Sequence, residues 1–526
     1  MFSTVLPPAL LVLLATTPIL MVLYLMIGRH WGGSKAGPAG LLTAVVVAVL
    51  FFGAGPQLIL ISLLKAVLLA FFVLYIIWMA LLLYHTVNDA GAITAIGREM
   101  PGIAQGRAAQ ALLLAWIFGS FLQGATGFGV PAAVVSPLLI GIGFAAGPAV
   151  VIALIGHAWA VTYGSLGSSF ISLIAATGVP GSDLANPVSA LLGVAALACG
   201  IAILWIVDKQ GAIKRRGLFV LLMTLVMGGT QWLIARSGLY SLAALGGGLA
   251  GLLVAIPLLS RESARGGTAA DREELAKRRS RLLVALLPYG ILIAVVVIGQ
   301  LLLPDLLDTV VINPMYPQVC TTSGYCTPAG HGRSISLFGH GGALLLYATI
   351  LIFGWYRWRG TLPTAPTADY SAREIVSKTV HGSIKPTIGI YTLVAMAVVM
   401  EHAGMTQLLA NVLSRSGPLF PFLSPFIGAL GAFMTGSNTN SNVVFGELQK
   451  QTAMALAISV PIILAAQTAG AAVGSSFAPA KVIVGASTVP GANEGDVLKM
   501  IVRTGLIIVA LIGVVTLIAV SVFSIQ

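Results

Sequence analysis

Apolar runs about 20 residues long, nearly free of charge, recur from Leu6 to Phe523 with only short polar breaks between them. About 20 such residues are what an α-helix needs to cross the hydrocarbon of a bilayer. The runs are unbroken and rich in Leu, Ala, Val and Ile, whereas barrel strands would alternate apolar and polar side chains over about 10 residues. Only 8% of the 526 residues are charged, against roughly 25% in a soluble domain. So few charges cannot clothe a soluble surface of this size. The expected fold is therefore an all-α polytopic membrane protein of about 12 to 14 crossings. The whole chain, 1–526, reads as one integral membrane domain, multi-pass in a bacterial cytoplasmic membrane. Met1 opens an apolar stretch with no positive n-region, so the first run reads as a retained helix rather than a cleaved signal. Later spans include Val188–Val207 and Leu218–Ile234 as two separate crossings.

The net charge of +12 sets orientation rather than recruiting nucleic acid, because the basic residues sit in short loops next to spans. Arg29 and Lys35, Arg98 and Arg107, Lys209 with Lys214–Arg216, residues 260–281, and Arg357 to Lys385 form the clusters. Basic loops stay cytoplasmic, which puts the N-terminus outside and makes 304–335 an extracytoplasmic loop. That loop holds Cys320 and Cys326, six apart, and a disulfide between them is permitted on the outside. It offers too few further ligands for a metal, and no cofactor is expected.

Two distant stretches resemble one another. GSFLQG at 119–124 matches GAFMTG at 431–436, and GSSF occurs at both 167–170 and 474–477. The order of motifs is the same in each, which points to duplicated, inverted halves at about 108–260 and 384–526. Paired repeats with broken helices or re-entrant hairpins are the layout of secondary transporters, whose site lies where the breaks meet.

The first break is GATGFGVP, Gly124–Pro131. Three glycines and a proline in eight residues interrupt a helix, and broken backbone within a membrane must face protein or a watery cavity. Its free amides suit an anion, and Thr126 adds a hydroxyl. Gly124, Thr126, Gly127, Phe128 and Gly129 are the candidate contacts here. The second break is TGSNTNSN, whose Thr435, Ser437, Asn438, Thr439, Asn440 and Asn442 are candidates. The bland alternatives are close packing through small residues for the first, and an ordinary solvated turn for the second. Beyond the first break HAWAVTYGSLGSSF carries His157, Tyr163, Ser165, Ser168 and Ser169; beyond the second lie Gln467, Ser475, Ser476 and Lys481. Lys481 suits a carboxylate, or else snorkels to an interface. His157, Glu401 and Glu447 are candidate proton carriers, since ionisable groups in membrane helices are costly, though a hydrogen-bonded structural histidine is equally compatible. No Walker A, nucleophile elbow or HExxH pattern occurs, so the chain is not expected to be an enzyme.

These stretches, GSFLQGATGFGVPAAVVSPLLIGIGF (119–144), GSLGSSF (164–170), FIGALGAFMTGSNTNSNVVFGELQ (426–449) and AAQTAGAAVGSSFAPAKVIV (465–484), resemble the L-lactate permease family, which includes glycolate permeases. The resemblance implies uptake of L-lactate, D-lactate, glycolate and similar 2-hydroxy monocarboxylates by proton symport. The family pattern carries a glutamate where this chain has Gln123, and a glutamine cannot titrate. A coupling proton would then need another group, such as His157. Sodium coupling for another organic anion, or an anion channel or receptor, are the alternative readings of the same motifs.

Overall fold

The computed structural model describes residues 7–29, 31–127, 129–265, 269–332, 334–365 and 370–523. Among them, eleven helical segments are long and apolar enough to cross a bilayer, or twelve when Ala146–Ala160 and Gly164–Thr177, bent by 52°, count as one broken span. One of these segments hides a turn. Gly181–Arg236 runs 56 residues, but Asp208 and Lys209 leave helical geometry. A Cβ on Gly200 would meet the Val220 side chain, one on Gly228 would lie 3.9 Å from Gly193, and Trp232 Nε1 donates to Asn186 Oδ1 at 3.0 Å. Residues 20 apart on a straight helix would be about 30 Å apart, so these contacts define a hairpin folded at Asp208–Lys209. The two spans read from the sequence on either side of the basic turn are thus antiparallel neighbours, and the crossings fall within the expected 12 to 14.

The two ends of the bundle differ. At one end, residues 311–336 form a narrow ribbon of three nested antiparallel pairs, Val311–Ile312 with Ile335–Ser336, Met315–Tyr316 with Gly330–His331, and Val319–Cys320 with Cys326–Thr327. Cys320 and Cys326 are disulfide-bonded at its tip. The tip docks on the turn between helices Gly33–Phe51 and Pro56–Asp89: Thr322 N donates to the Gly53 carbonyl at 2.8 Å and Ser323 Oγ to the Phe52 carbonyl at 2.9 Å. At the far end of the 34-residue helix Pro56–Asp89, about 51 Å away, the basic segments gather. Lys378 pairs with Asp89 at 2.9 Å, Arg281 with Glu99 at 2.8 Å and Arg216 with Glu262 at 2.6 Å.

Two stretches share an order of elements. Gly119–Ala125, a break, Val130–Gly141, Ala146–Gly156, a second break and Gly164–Thr177 lead into the long hairpin. Phe420–Thr435, a break, Asn438–Ala455, Val460–Ser476, a second break and Pro479–Ser487 lead into the final helix Glu494–Phe523. Glycines hold the second set together at backbone contact. A Cβ on Gly428 would strike the Gln467 carbonyl, one on Gly470 the Pro425 carbonyl and one on Gly474 the Ala429 carbonyl. Small residues let membrane helices approach this closely.

Candidate functional site

Both sequence breaks are real interruptions, and each needs glycine. Gly127 and Gly129 have φ of +67° and +86° between helices Gly119–Ala125 and Val130–Gly141. Gly436, at φ +69°, ends Phe420–Thr435. Such left-handed backbone favours residues without a Cβ. Ser437 then caps the next helix, its Oγ accepting from Asn440 N at 3.3 Å, one of the free amides every helix start exposes. A third helix, Pro479–Ser487, lies against both breaks. The Cβ position of Gly129 is 3.7 Å from Val484 Cγ1, and that of Gly436 is 3.8 Å from Ala480 Cβ. Helix N-termini at Val130, Asn438 and Pro479 therefore adjoin these glycines, and each presents the positive end of a helix dipole.

Lys481 stands in the first turn of that third helix. Its Nζ donates to Ser475 Oγ at 3.0 Å, and no carboxylate lies within ion-pair distance of it among the described residues. Nearby, His157 is fully buried. Its Nδ1 lies 2.7 Å from the Ala153 carbonyl; a carbonyl only accepts, so Nδ1 carries the hydrogen, and Nε2 is left without a partner. Gln123 packs against Gly164 and Gly127, with its Oε1 buried and unpartnered. Ser165 comes up against Gly127 as well. It begins a buried left-handed turn, with Ser165 at φ +47°, Leu166 at +55° and Gly167 at +80°. Two non-glycine residues held there cost of order 1–3 kcal/mol each.

Beside this lies a closed polar cluster that joins the two stretches. Asn438 Nδ2 donates to Thr162 Oγ1 at 3.1 Å, Thr162 Oγ1 to the Thr468 carbonyl at 3.1 Å, and Thr468 Oγ1 to Asn438 Oδ1 at 3.4 Å. Asn442 Nδ2 donates to Thr468 Oγ1 and to the Ser169 carbonyl, both at 2.9 Å, and the Ser169 and Thr439 hydroxyls lie 3.0 Å apart. All six residues are buried. Deeper still, Gln467 Nε2 donates to Ser441 Oγ at 3.1 Å and its Oε1 accepts from Gln449 Nε2 at 2.9 Å.

Several expected residues face elsewhere. The Thr126 hydroxyl donates back to the Leu122 carbonyl at 2.7 Å, and Thr435 to the Gly431 carbonyl at 2.8 Å. The Tyr163 hydroxyl sits 3.3 Å from Ser189. Gly124 is a packing glycine, its Cβ position blocked by the backbone of Ala244 and Leu245. Ser168 is buried, and its carbonyl accepts from Ser172 Oγ at 2.6 Å. The Asn440 amide lies 3.7 Å from the Cβ position of Gly33. Phe128 lies outside the described residues. Glu401 and Glu447 are apart from the cluster, in a cavity of about 370 Å³ whose walls also include Lys65, Lys450, Ser172, Val443 and, from the ribbon, His331 and Gly332. Thr162, Thr468, Lys65 and Lys450 were not singled out from the sequence. Thr162 lies in the turn before helix Gly164–Thr177, and Thr468 follows Gln467 in Val460–Ser476; both sit among other hydroxyl and amide side chains, so nothing local sets them apart.

Residues 11–523 match the family model of the L-lactate permease. The chain belongs to the L-lactate permease family. This family member is 27% identical to the L-lactate permease of Bacillus subtilis, over 97% of this chain and 96% of the relative. It is 25% identical to the L-lactate permease of Escherichia coli K12, over 96% and 95% of the two chains. A glycolate permease from the same organism is 26% identical, over 86% of this chain and 85% of its own length. The family and the helix content make this permease-family protein a multi-pass cell-membrane transporter and not an enzyme.

Proposed function

We propose that the protein takes up L-lactate and related 2-hydroxy monocarboxylates, D-lactate and glycolate among them, by proton symport. Membership of the L-lactate permease family supports the cargo. The observation that carries the binding mode is Lys481, a cation without a carboxylate partner among the described residues, set where two helix breaks meet. A carboxylate there receives one ammonium and the amides of neighbouring helix N-termini, the donor set such a group prefers. The Asn438–Thr162–Thr468–Asn442 cluster then supplies donors and acceptors for a 2-hydroxyl, which is both donor and acceptor itself. The matching element order around the two sites supports a duplicated architecture with the cargo between the halves. By the same reading, residues 260–281 face the cytoplasm and 304–335 face outside. The basic residues at the end of the bundle opposite the ribbon favour that orientation.

Gln123 cannot carry a proton. His157, with its bare Nε2, and the cavity carboxylates Glu401 and Glu447 are the titratable groups left for coupling. The test is uptake of labelled L-lactate into proteoliposomes under an imposed pH gradient. Uphill accumulation that collapses with a protonophore and ignores sodium is expected. An absence of uptake for lactate, glycolate and pyruvate alike would reject the cargo, and sodium stimulation at fixed pH would reject proton coupling.

A further inference from the structure

The cavity that holds Glu401 and Glu447 is built from four elements, and its charges are arranged in an unusual way. Lys65 comes from helix Pro56–Asp89, Glu401 from Ala372–His402, and Glu447 and Lys450 from Asn438–Ala455. The fourth wall is the end of helix Gly164–Thr177, which offers Ser172 and backbone but no charge. His331 overhangs from the ribbon, whose Tyr325 packs on Gly404 beyond the Glu401 helix end. Two lysines thus face two glutamates with no excess of either sign.

The ion pairs are loose. Lys65 Nζ is 3.5 Å from Glu401 Oε1, and Lys450 Nζ is 3.3 Å from Glu447 Oε2. Tight charge-assisted bonds of this type measure about 2.7–2.9 Å. The shortest bond of Lys450 goes instead to the Thr177 carbonyl at 2.8 Å, and Lys65 lies nearer to His402 Nε2, at 3.2 Å, than to Glu401. Both lysines and Glu401 remain about a quarter exposed, and Glu447 15% exposed. Each ammonium therefore has a donor to spare and space in front of it. Val443, the residue after Asn442 of the polar cluster, is among the residues that line the cavity. A volume of about 370 Å³ takes a small carboxylic acid with water.

We infer that this cavity is an outer carboxylate subsite, in which a substrate carboxylate replaces Glu447 on Lys450 once Glu447 has taken up a proton. The inference rests on the symport reading above. The step balances: a proton from outside water binds a Glu447 oxygen, the neutral acid releases its share of the Lys450 ammonium, and the incoming anion takes that place. One proton and one carboxylate enter together, so the charge of the cavity is unchanged by loading. Glu401 stays on Lys65, with Ser62 Oγ, 2.9 Å from His402 Nδ1, fixing the histidine behind them. An anion arriving alone would leave two carboxylates competing for one lysine, and that repulsion makes the two arrivals interdependent. Coupling of this kind needs no titratable group at Gln123.

The experiment compares wild type with Glu447→Gln, Lys450→Gln and Lys450→Arg in proteoliposomes. It reads lactate counterflow, accumulation under a pH gradient, and proton uptake on lactate binding to the detergent-solubilised protein by calorimetry in buffers of different ionisation enthalpy. Glu447→Gln is expected to keep lactate counterflow while losing gradient-driven accumulation and the proton taken up on binding. Lys450→Gln is expected to raise the external KM about tenfold, the scale of one lost charged hydrogen bond, and Lys450→Arg to restore most of it. Accumulation and proton uptake like wild type in Glu447→Gln, or an unchanged KM in Lys450→Gln, overturns the inference. Failure of the symport reading looks different, because wild type itself then shows no lactate counterflow or no response to the gradient.

Discussion

The hydroxyl of Thr162 donates to the carbonyl of Thr468, 3.1 Å away across 306 residues of sequence. Through this bond and the one from Asn438, the backbone just before the strained turn at Ser165–Gly167 is tied to helices Val460–Ser476 and Asn438–Ala455. The polar cluster is thus at once a fastening between two stretches and a set of groups able to meet a hydroxy acid.

Its energetics follow from burial. Replacing Thr468 with Ala removes one hydroxyl and leaves the Asn442 amide and Asn438 oxygen short of a partner. A buried orphan costs about 1–3 kcal/mol. Thr468→Ala is expected to lower the melting temperature by several degrees and to reduce uptake at least tenfold. Asn438→Leu and Asn442→Leu should insert normally and abolish transport. Wild-type uptake in both leucine variants would remove the cluster from the transport path.

Lys481→Met keeps the length of the side chain and deletes the charge. No ion pair is broken among the described residues, so stability should hold within about 1 kcal/mol, as for a change that leaves no uncompensated charge. The lactate KM should rise at least tenfold. An arginine at this position should do worse than its charge suggests, because its planar fork does not replace a compact ammonium. Transport kinetics alongside thermal melts decide the matter; a stability loss with unchanged KM would make Lys481 merely structural.

His157→Gln retains a donor for the Ala153 carbonyl and removes the only ring nitrogen able to gain a proton. If His157 contributes to coupling, the pH dependence of uptake flattens while half-saturation at a favourable pH moves less than about threefold, under 1 kcal/mol. An unchanged pH profile assigns coupling to the cavity carboxylates instead. Initial rates between pH 5 and 8 are the measurement.

Gly470→Ala drives a methyl into the Pro425 carbonyl. Both partners are backbone, so neither can swing aside, and overpacking of this kind costs about 1–3 kcal/mol. A clear drop in melting temperature is expected, whereas Gly229→Ala, with open space around its Cβ position, should be neutral. Equal melting of the two variants would contradict the backbone contact.

Much of this was legible in the sequence, for physical reasons. Apolar runs of membrane length impose helices, so Val188–Val207 and Leu218–Ile234 stood out as separate spans on either side of basic residues that resist burial. Glycines at 127, 129 and 436 marked breaks because left-handed backbone and missing side chains have few other uses in a membrane. The asparagines at 438 and 442 were visible because polarity is expensive there. Thr162 and Thr468 were not, since each stands among other polar side chains, and a threonine there can equally bond its own backbone, as Thr126 does to Leu122 here. Only the fold brings two such residues to each other. Thr126 and Tyr163 illustrate the reverse: the right chemistry in the right stretch, turned to another partner, Leu122 for one and Ser189 for the other. Lys65 escaped attention because its relation to Glu401, 336 residues away, exists only in three dimensions, and Lys450 because beside Glu447, three residues before it on the same helix, it reads as an ordinary local pair.

Helices Phe420–Thr435 and Val460–Ser476 touch through bare backbone at Gly428, Gly470 and Gly474. At these three points no side chain separates the two backbones, so the pair resists sliding and acts as one beam. Any opening toward the other face of the membrane must then be taken up at the joints around that beam, which are the glycine at 436 and the left-handed turn at Ser165–Gly167. The rigidity of one contact thereby determines where the moving parts of the molecule are.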